Sequence, residues 1–182
     1  MTTIISTLFR TNAARLIAFV SLTTSTSRLA EPRILVFDTP EDEIEAVGHW
    51  LADRTREGIK PHEVGVFVRS SGELERARAT VEHAGLAFKV LDEHVETSRD
   101  HVSIATMHLA KGLEFRAVVV MACDDEIVPL QRRIETVTDD SDLEEVYDTE
   151  RHLLYVACTR ARDYLLVTSG NTASEFLDDL QA

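Results

Sequence analysis

Two short strings hold the side chains best suited to phosphate chemistry. The first is Thr106-Met107-His108-Leu109-Ala110-Lys111-Gly112-Leu113-Glu114-Phe115. The alternation of Val102, Ile104 and Thr106 ahead of it predicts a strand. That strand delivers a threonine hydroxyl, and two residues later an imidazole, to its carboxyl end, where open α/β sheets bind ligands. Both groups can meet a phosphate or a sugar. Lys111-Gly112 predicts a tight turn with outward backbone N–H groups. The Glu114 carboxylate suits ribose hydroxyls, because it repels phosphates. The second string is Leu154-Tyr155-Val156-Ala157-Cys158-Thr159-Arg160-Ala161-Arg162. Here Arg160 falls late in an amphipathic helix, just before an apolar strand over 164–168. That geometry can push a guanidinium past a sheet edge into a neighbouring cleft, where its fixed charge and forked donors fit phosphate oxygens. Taken singly these residues are ordinary: a strand-end threonine, a surface lysine, a glycine turn, an arginine paired with an acidic loop. Arg162 reads as a surface charge and Tyr155 as core. The strings carry information as wholes.

The elements that must hold them are legible from pattern. Apolar runs predict strands at 33–37, Val64–Val68, 87–91, 101–106 and 117–123, the last typical of a central parallel strand. Thr39 as cap, Pro40 in the first turn and acidic Glu41, Asp42 and Glu43 predict a helix start, continued by Ile44, Val47 and Leu51. Leu74, Ala77, Val81 and Ala84 form the next helical face, closed by Gly85. Further helices are predicted around 8–20, through Leu153, Leu154 and Ala157, and over 174–180. Residues 21–27 read as a loop. Residues 124–150, with Asp139, Asp140, Asp142, Glu144 and Glu145 close together, read as a solvated acidic loop. Strands alternating with helices predict a parallel α/β sandwich.

A chain of 182 residues can bury a real core, and its 44% hydrophobic and 28% charged composition is that of a globular protein. Its net charge of −13 repels a phosphate backbone, so contact with nucleic acid needs a local cluster or a basic partner domain. Cys123 and Cys158 sit in apolar patterns and read as buried packing residues. The seven histidines show no zinc spacing. Arg10, Arg15 and the run over 16–20 fall short of a signal peptide, since no small-x-small cleavage site follows, and a half-buried helix is the better reading. No segment is long enough to span a membrane. A cytoplasmic protein is expected.

As wholes, the two strings resemble motifs V and VI of the UvrD/Rep-type superfamily 1 helicases. The resemblance implies that Thr106 and His108 face single-stranded DNA, and that Gly112 and Glu114 approach ATP. It implies that Arg160 reaches the γ-phosphate across a cleft between two RecA-like domains, an arginine finger with a rate effect on the order of 10³ to 10⁵. Leu8-Phe9-Arg10-Thr11 with Leu16-Ile17-Ala18 is similar to motif IV, which would make Arg10 a second γ-phosphate contact; Leu8 stands where asparagine is usual. Val64-Gly65-Val66-Phe67-Val68-Arg69-Ser70-Ser71 is similar to the V-L-x-R-S-N strand, implying that Arg69 and Ser70 touch the DNA backbone; Ser71 replaces the asparagine. The expected fold is a RecA-like parallel sheet flanked by helices on both faces, one domain over 1–182. That is motor domain 2A of such a helicase. Only 71–101 separate the Arg69 strand from motif V, so the 2B insertion is absent.

No G-x-x-x-x-G-K-[ST] phosphate cradle occurs. Cys123-Asp124-Asp125-Glu126 follows an apolar strand but comes directly after motif V, which excludes a Walker B reading. The chain is therefore expected to hold half an ATP site and not to hydrolyse ATP alone. ATP with Mg would be shared with an N-terminal RecA-like motor domain, in cis or in trans, that binds the Mg. Two alternatives stand beside this. A non-catalytic, helicase-derived module would bind a protein partner without any nucleotide effect. An unrelated nucleotide-binding α/β protein would need a phosphate loop of its own.

Overall fold

A computed structural model describes residues 30–137 and 139–181. The expected helix over 8–20, the loop over 21–27 and Arg10 lie outside the described residues.

The chain alternates strand and helix as its pattern predicts. β1 (Arg33–Val36) leads into α1 (Pro40–Arg56). Thr39 Oγ1 accepts the Asp42 N–H at 3.1 Å, and the acidic first turn meets the positive end of the helix dipole. β2 (Val64–Val68), α2 (Leu74–His83), β3 (Phe88–Val90), β4 (Val102–Thr106) and β5 (Phe115–Val120) follow. A short helix α3 (Gln131–Ile134), the long α4 (Asp140–Cys158), β6 (Ala161–Ser169) and α5 (Glu175–Gln181) complete the described chain. Gly85 adopts φ +70°, a left-handed turn just past α2 that only glycine takes without strain.

The six strands form one sheet in the order β1-β6-β5-β2-β4-β3, and every pairing is parallel. The helices cover both faces, as expected of a RecA-like sheet. Val47, Leu51, Ala77 and Val81 of α1 and α2 pack on Val64, Val66, Ile104, Ala117 and Val119. On the other face Leu154, Ala157 and Cys158 of α4, with Phe176 and Leu177 of α5, pack on Phe67, Phe115, Val118 and Val120. β5 is buried on both faces, which is why it reads as an unbroken apolar run. A side chain such as Leu51 or Leu154, with no exposed surface, contributes about 1.5–3 kcal/mol by its burial.

One expectation needs correction. Residues 140–150 are not loop but the first half of α4, while the described part of 124–139 stays irregular apart from α3. Asp139 caps α4, its Oδ1 accepting the Asp142 N–H at 2.9 Å. Asp140 and Asp142 then fill the first helical turn, where their charge favours the helix. The acidic residues are solvated, but on a helix.

Candidate functional site

The segment 107–114 links the two ends of the sheet. β4 ends at Thr106, level with Val68 of β2, at the carboxyl edge. β5 begins at Phe115, at the amino edge, on the other side of β2. The connection crosses β2 on the face that α4 covers, and Met107 and Ala110 are buried beneath it. Its polar residues stay outside: His108, Lys111, Gly112 and Glu114 are exposed and Thr106 is half-buried. Gly112 takes φ +84°, the turn predicted for Lys111-Gly112. α4 runs back antiparallel to the strands. Glu150 therefore lies at the carboxyl edge and Arg160, just past the helix, at the amino edge, with roughly 12 Å of helix from Glu150 to Cys158.

At the amino edge Arg160 is half-buried. Its Nε donates to the Val156 carbonyl at 3.0 Å, Nη2 to Thr159 Oγ1 at 2.9 Å and Nη1 to the Leu113 carbonyl at 3.4 Å. The guanidinium thus caps the negative end of α4 and touches the turn that carries Gly112 and Glu114. The Phe115 N–H donates to the Arg160 carbonyl at 2.9 Å, which fixes the same two segments through their backbones. No carboxylate pairs with Arg160 among the described residues. The side chain is neither sealed in the core nor extended from the surface.

The carboxyl edge gathers Thr106, His108, Arg69 and Ser70, since Val68 pairs with Thr106 and the two chains leave the sheet side by side. Arg69 departs from expectation. It is 2% exposed and bound through Nε and Nη2 to both oxygens of Glu150, at 2.5 Å each. A guanidinium so enclosed does not reach a DNA backbone; it anchors β2 to α4. Glu150, with no exposed surface, also accepts from Arg133 Nη1 at 2.8 Å and the Leu130 N–H at 3.2 Å. Burial works to raise the Glu150 pKa, but its bonds to Arg69, then Arg133 and Leu130, hold it below the usual carboxylate range. His108 is pushed down, first by partial desolvation, then by the Arg69 charge, with Glu150 opposing and Arg133 adding. Ser70 caps the turn that follows it, its Oγ accepting the Gly72 N–H at 3.2 Å.

A second buried network closes the same edge over the opposite face. Glu43 accepts the Ala122 N–H at 3.0 Å and the Thr168 hydroxyl, and pairs with Arg76. Arg76 Nη1 meets Asp124 Oδ2 at 2.6 Å, and Asp124 Oδ1 accepts from Ser169 Oγ and the Gly170 N–H, each at 2.8 Å. Asp124 thus ties Arg76 to the end of β6. Burial raises the Glu43 pKa against these partners. Among the described residues no cluster of three or more His, Cys, Asp or Glu could hold a metal, and no helix is long and apolar enough to cross a membrane.

Sequence pattern did not single out Glu150, Arg76 or Arg133, and it read Glu43 only as a charge at a helix start, not as a buried partner. A signal was present for the two glutamates: each heads an apolar stripe at helical spacing, Glu43 with Val47 and Trp50, Glu150 with Leu154 and Ala157.

The sequence model of the UvrD-like helicase C-terminal domain matches residues 75–172. The chain is 38% identical over 87 residues to the ATP-dependent DNA helicase PcrA of Staphylococcus epidermidis, an alignment covering 48% of this chain and 11% of that protein. It is 30% identical over 116 residues to DNA helicase II of Rickettsia typhi, covering 63% and 17%. The chain therefore spans only a small part of the length of the curated relatives it matches. The solved C-terminal domain of a possible DNA helicase from Lactobacillus plantarum WCFS1 shares the fold, with TM-score 0.63 and 21% identity over 91% of this chain and 89% of that one.

Proposed function

Since this chain belongs to the UvrD-like helicase C-terminal domain family, we propose that it acts as the second motor domain of an ATP-dependent DNA helicase. One observation carries the reading. A single short crossover presents Thr106 and His108 at one edge of the sheet, and at the other edge the Leu113 carbonyl, between Gly112 and Glu114, accepts from Arg160. Nucleotide and single-stranded DNA then occupy opposite ends of one mechanical unit.

The residues present fit part of an ATP site. Gly112 has an open left-handed turn with no heavy atom where a side chain would start, and Glu114 stands exposed beside it to accept ribose hydroxyls. Arg160 supplies a fixed cation, released toward phosphate when it exchanges its bonds to the neutral Val156 carbonyl and Thr159 hydroxyl for stronger ones to an anion. The described residues offer no metal cluster, and the sequence offers no phosphate cradle. Mg and the triphosphate cradle fall to an N-terminal RecA-like motor domain. ATP supplies the phosphoryl transfer. Arg160 stabilises the charge that develops across the shared cleft, and Arg10 is a further candidate for that task.

The test joins this chain to a UvrD-type N-terminal motor domain and measures DNA-stimulated ATPase. Arg160→Ala should lower turnover on the order of 10³-fold or more while nucleotide still binds. Full turnover in that variant would defeat the assignment. A chain that instead recovers a protein partner, indifferent to nucleotide and DNA, would favour the non-catalytic reading.

A further inference from the structure

The Arg69–Glu150–Arg133 cluster does not balance its charge. One buried carboxylate faces two guanidinium groups. All the acceptor capacity of Glu150 is engaged, by Arg69 Nε and Nη2, Arg133 Nη1 and the Leu130 N–H. Arg69 is sealed, with 3% of its side chain exposed, so the surplus positive charge comes to the surface through Arg133, whose side chain is 38% exposed. One edge of the Arg133 guanidinium is held by Glu150; the remaining N–H groups have no partner among the described residues. Arg132 is exposed beside it on α3. His108 lies close enough for its charge state to feel both Arg69 and Arg133. In a chain of net charge −13 this corner is a built cation.

The chemistry that answers such a corner is a phosphodiester. A planar guanidinium, clamped on one side, presents paired donors with little side-chain entropy left to lose. Exposed His108 and half-buried Thr106 add neutral donors alongside. An acidic body can hold a polyanion only where a cation is fixed in place. We infer that Arg133 is a phosphate-binding residue on the nucleic-acid path, its free guanidinium edge taking a backbone oxygen of the strand that Thr106 and His108 face, with Glu150 as the residue that positions it. The inference rests on the carboxyl-edge reading proposed above and adds to it a residue from α3.

The experiment titrates the whole 182-residue chain into fluorescein-labelled oligothymidylate and follows anisotropy over a range of salt concentrations. One phosphate contact to a single strand contributes about 0.7 to the slope of log K against log salt, or roughly eightfold in affinity at 50 mM salt. Arg133→Gln should lose that much in both readouts, equally on mixed-sequence oligonucleotides, because phosphate contacts carry no base preference. Arg133→Lys should restore most of the slope. Arg162→Gln makes the same charge change at the exposed start of β6, on the amino edge, and should leave the slope unaltered. Urea midpoints matching wild type verify that the variants are folded. An unchanged slope in folded Arg133→Gln overturns the inference, as does an equal loss in Arg162→Gln. If His108→Ala and Thr106→Ala weaken binding while Arg133→Gln does not, the carboxyl-edge reading survives and the role of Arg133 falls. A wild-type chain that fails to bind the oligonucleotide at 10 mM salt overturns both.

Discussion

Replacing Glu150 by alanine is the sharpest test of how the carboxyl edge is held. The carboxylate has no exposed surface and binds Arg69, itself 2% exposed, through two bonds. Its removal strands a buried guanidinium, which costs about 3–5 kcal/mol. The Leu130 N–H also loses its acceptor, a further ~1 kcal/mol or more where that group stays dry. Arg133 is half exposed and can turn to water, so its loss adds little. The sum is about 4–6 kcal/mol, a large fraction of the roughly 5–15 kcal/mol that stabilises a typical domain. For a chain of this size each kcal/mol moves Tm by about 2–4 °C, so a drop of about 8–24 °C is expected. Thermal and urea unfolding of the chain measure it. The double variant Arg69→Leu/Glu150→Leu removes both charges and should recover most of the loss, because apolar replacement of a buried pair is close to neutral. The coupling read from Arg69→Leu, Glu150→Leu and the double variant should therefore exceed ~2 kcal/mol. A Glu150→Ala loss below ~1 kcal/mol, or additive effects in the cycle, would refute the account.

Two further outcomes follow from the same structure. The Glu150 pKa lies below its ordinary 4.5 in the folded chain, so the stability it contributes is present above pH 4.5 and lost as pH falls through the lower folded value; the gap in urea midpoint between wild type and Glu150→Gln should narrow as the pH is taken below 4.5, and a gap that widens there contradicts it. Gly65 sits in β2 with the Phe115 ring 2.5 Å from where a Cβ would lie, so Gly65→Ala must displace that ring and should cost about 1–3 kcal/mol in urea unfolding, whereas a neutral result would show that the ring moves freely.

Most of the fold was legible because local pattern and tertiary demand agree. The Thr39-Pro40 start, the Gly85 stop and the apolar runs of β2, β4 and β5 each satisfy propensity and burial together. The start of α4 was not, because charge density masked a cap. Asp139-Asp140-Ser141-Asp142 reads as a solvated run unless its first member is recognised as an N-cap, and only the apolar stripe beginning near Glu150 reveals the helix. That misreading also hid Arg132 and Arg133 within a stretch taken to be acidic. At the site, the structure brings Thr106 and His108 to the carboxyl edge of the sheet and Gly112, Glu114 and Arg160 to the amino edge, positions that follow from strand ends legible in the sequence. The burial of Arg69 was not legible, because it depends on a carboxylate 81 positions away on another element, a pairing that no local pattern encodes.

The crossover over 107–114 has little slack. Its ends differ in height by about six strand residues and lie two strands apart, a span of roughly 22 Å. Nine steps of chain, three of them wound into the short 3-10 turn Met107–Leu109, reach only about 26 Å. A tether drawn so close to full length behaves as an inextensible cord. Pulled at the histidine end, it cannot absorb the displacement locally and must either drag the glycine turn with it or lift off its apolar bed.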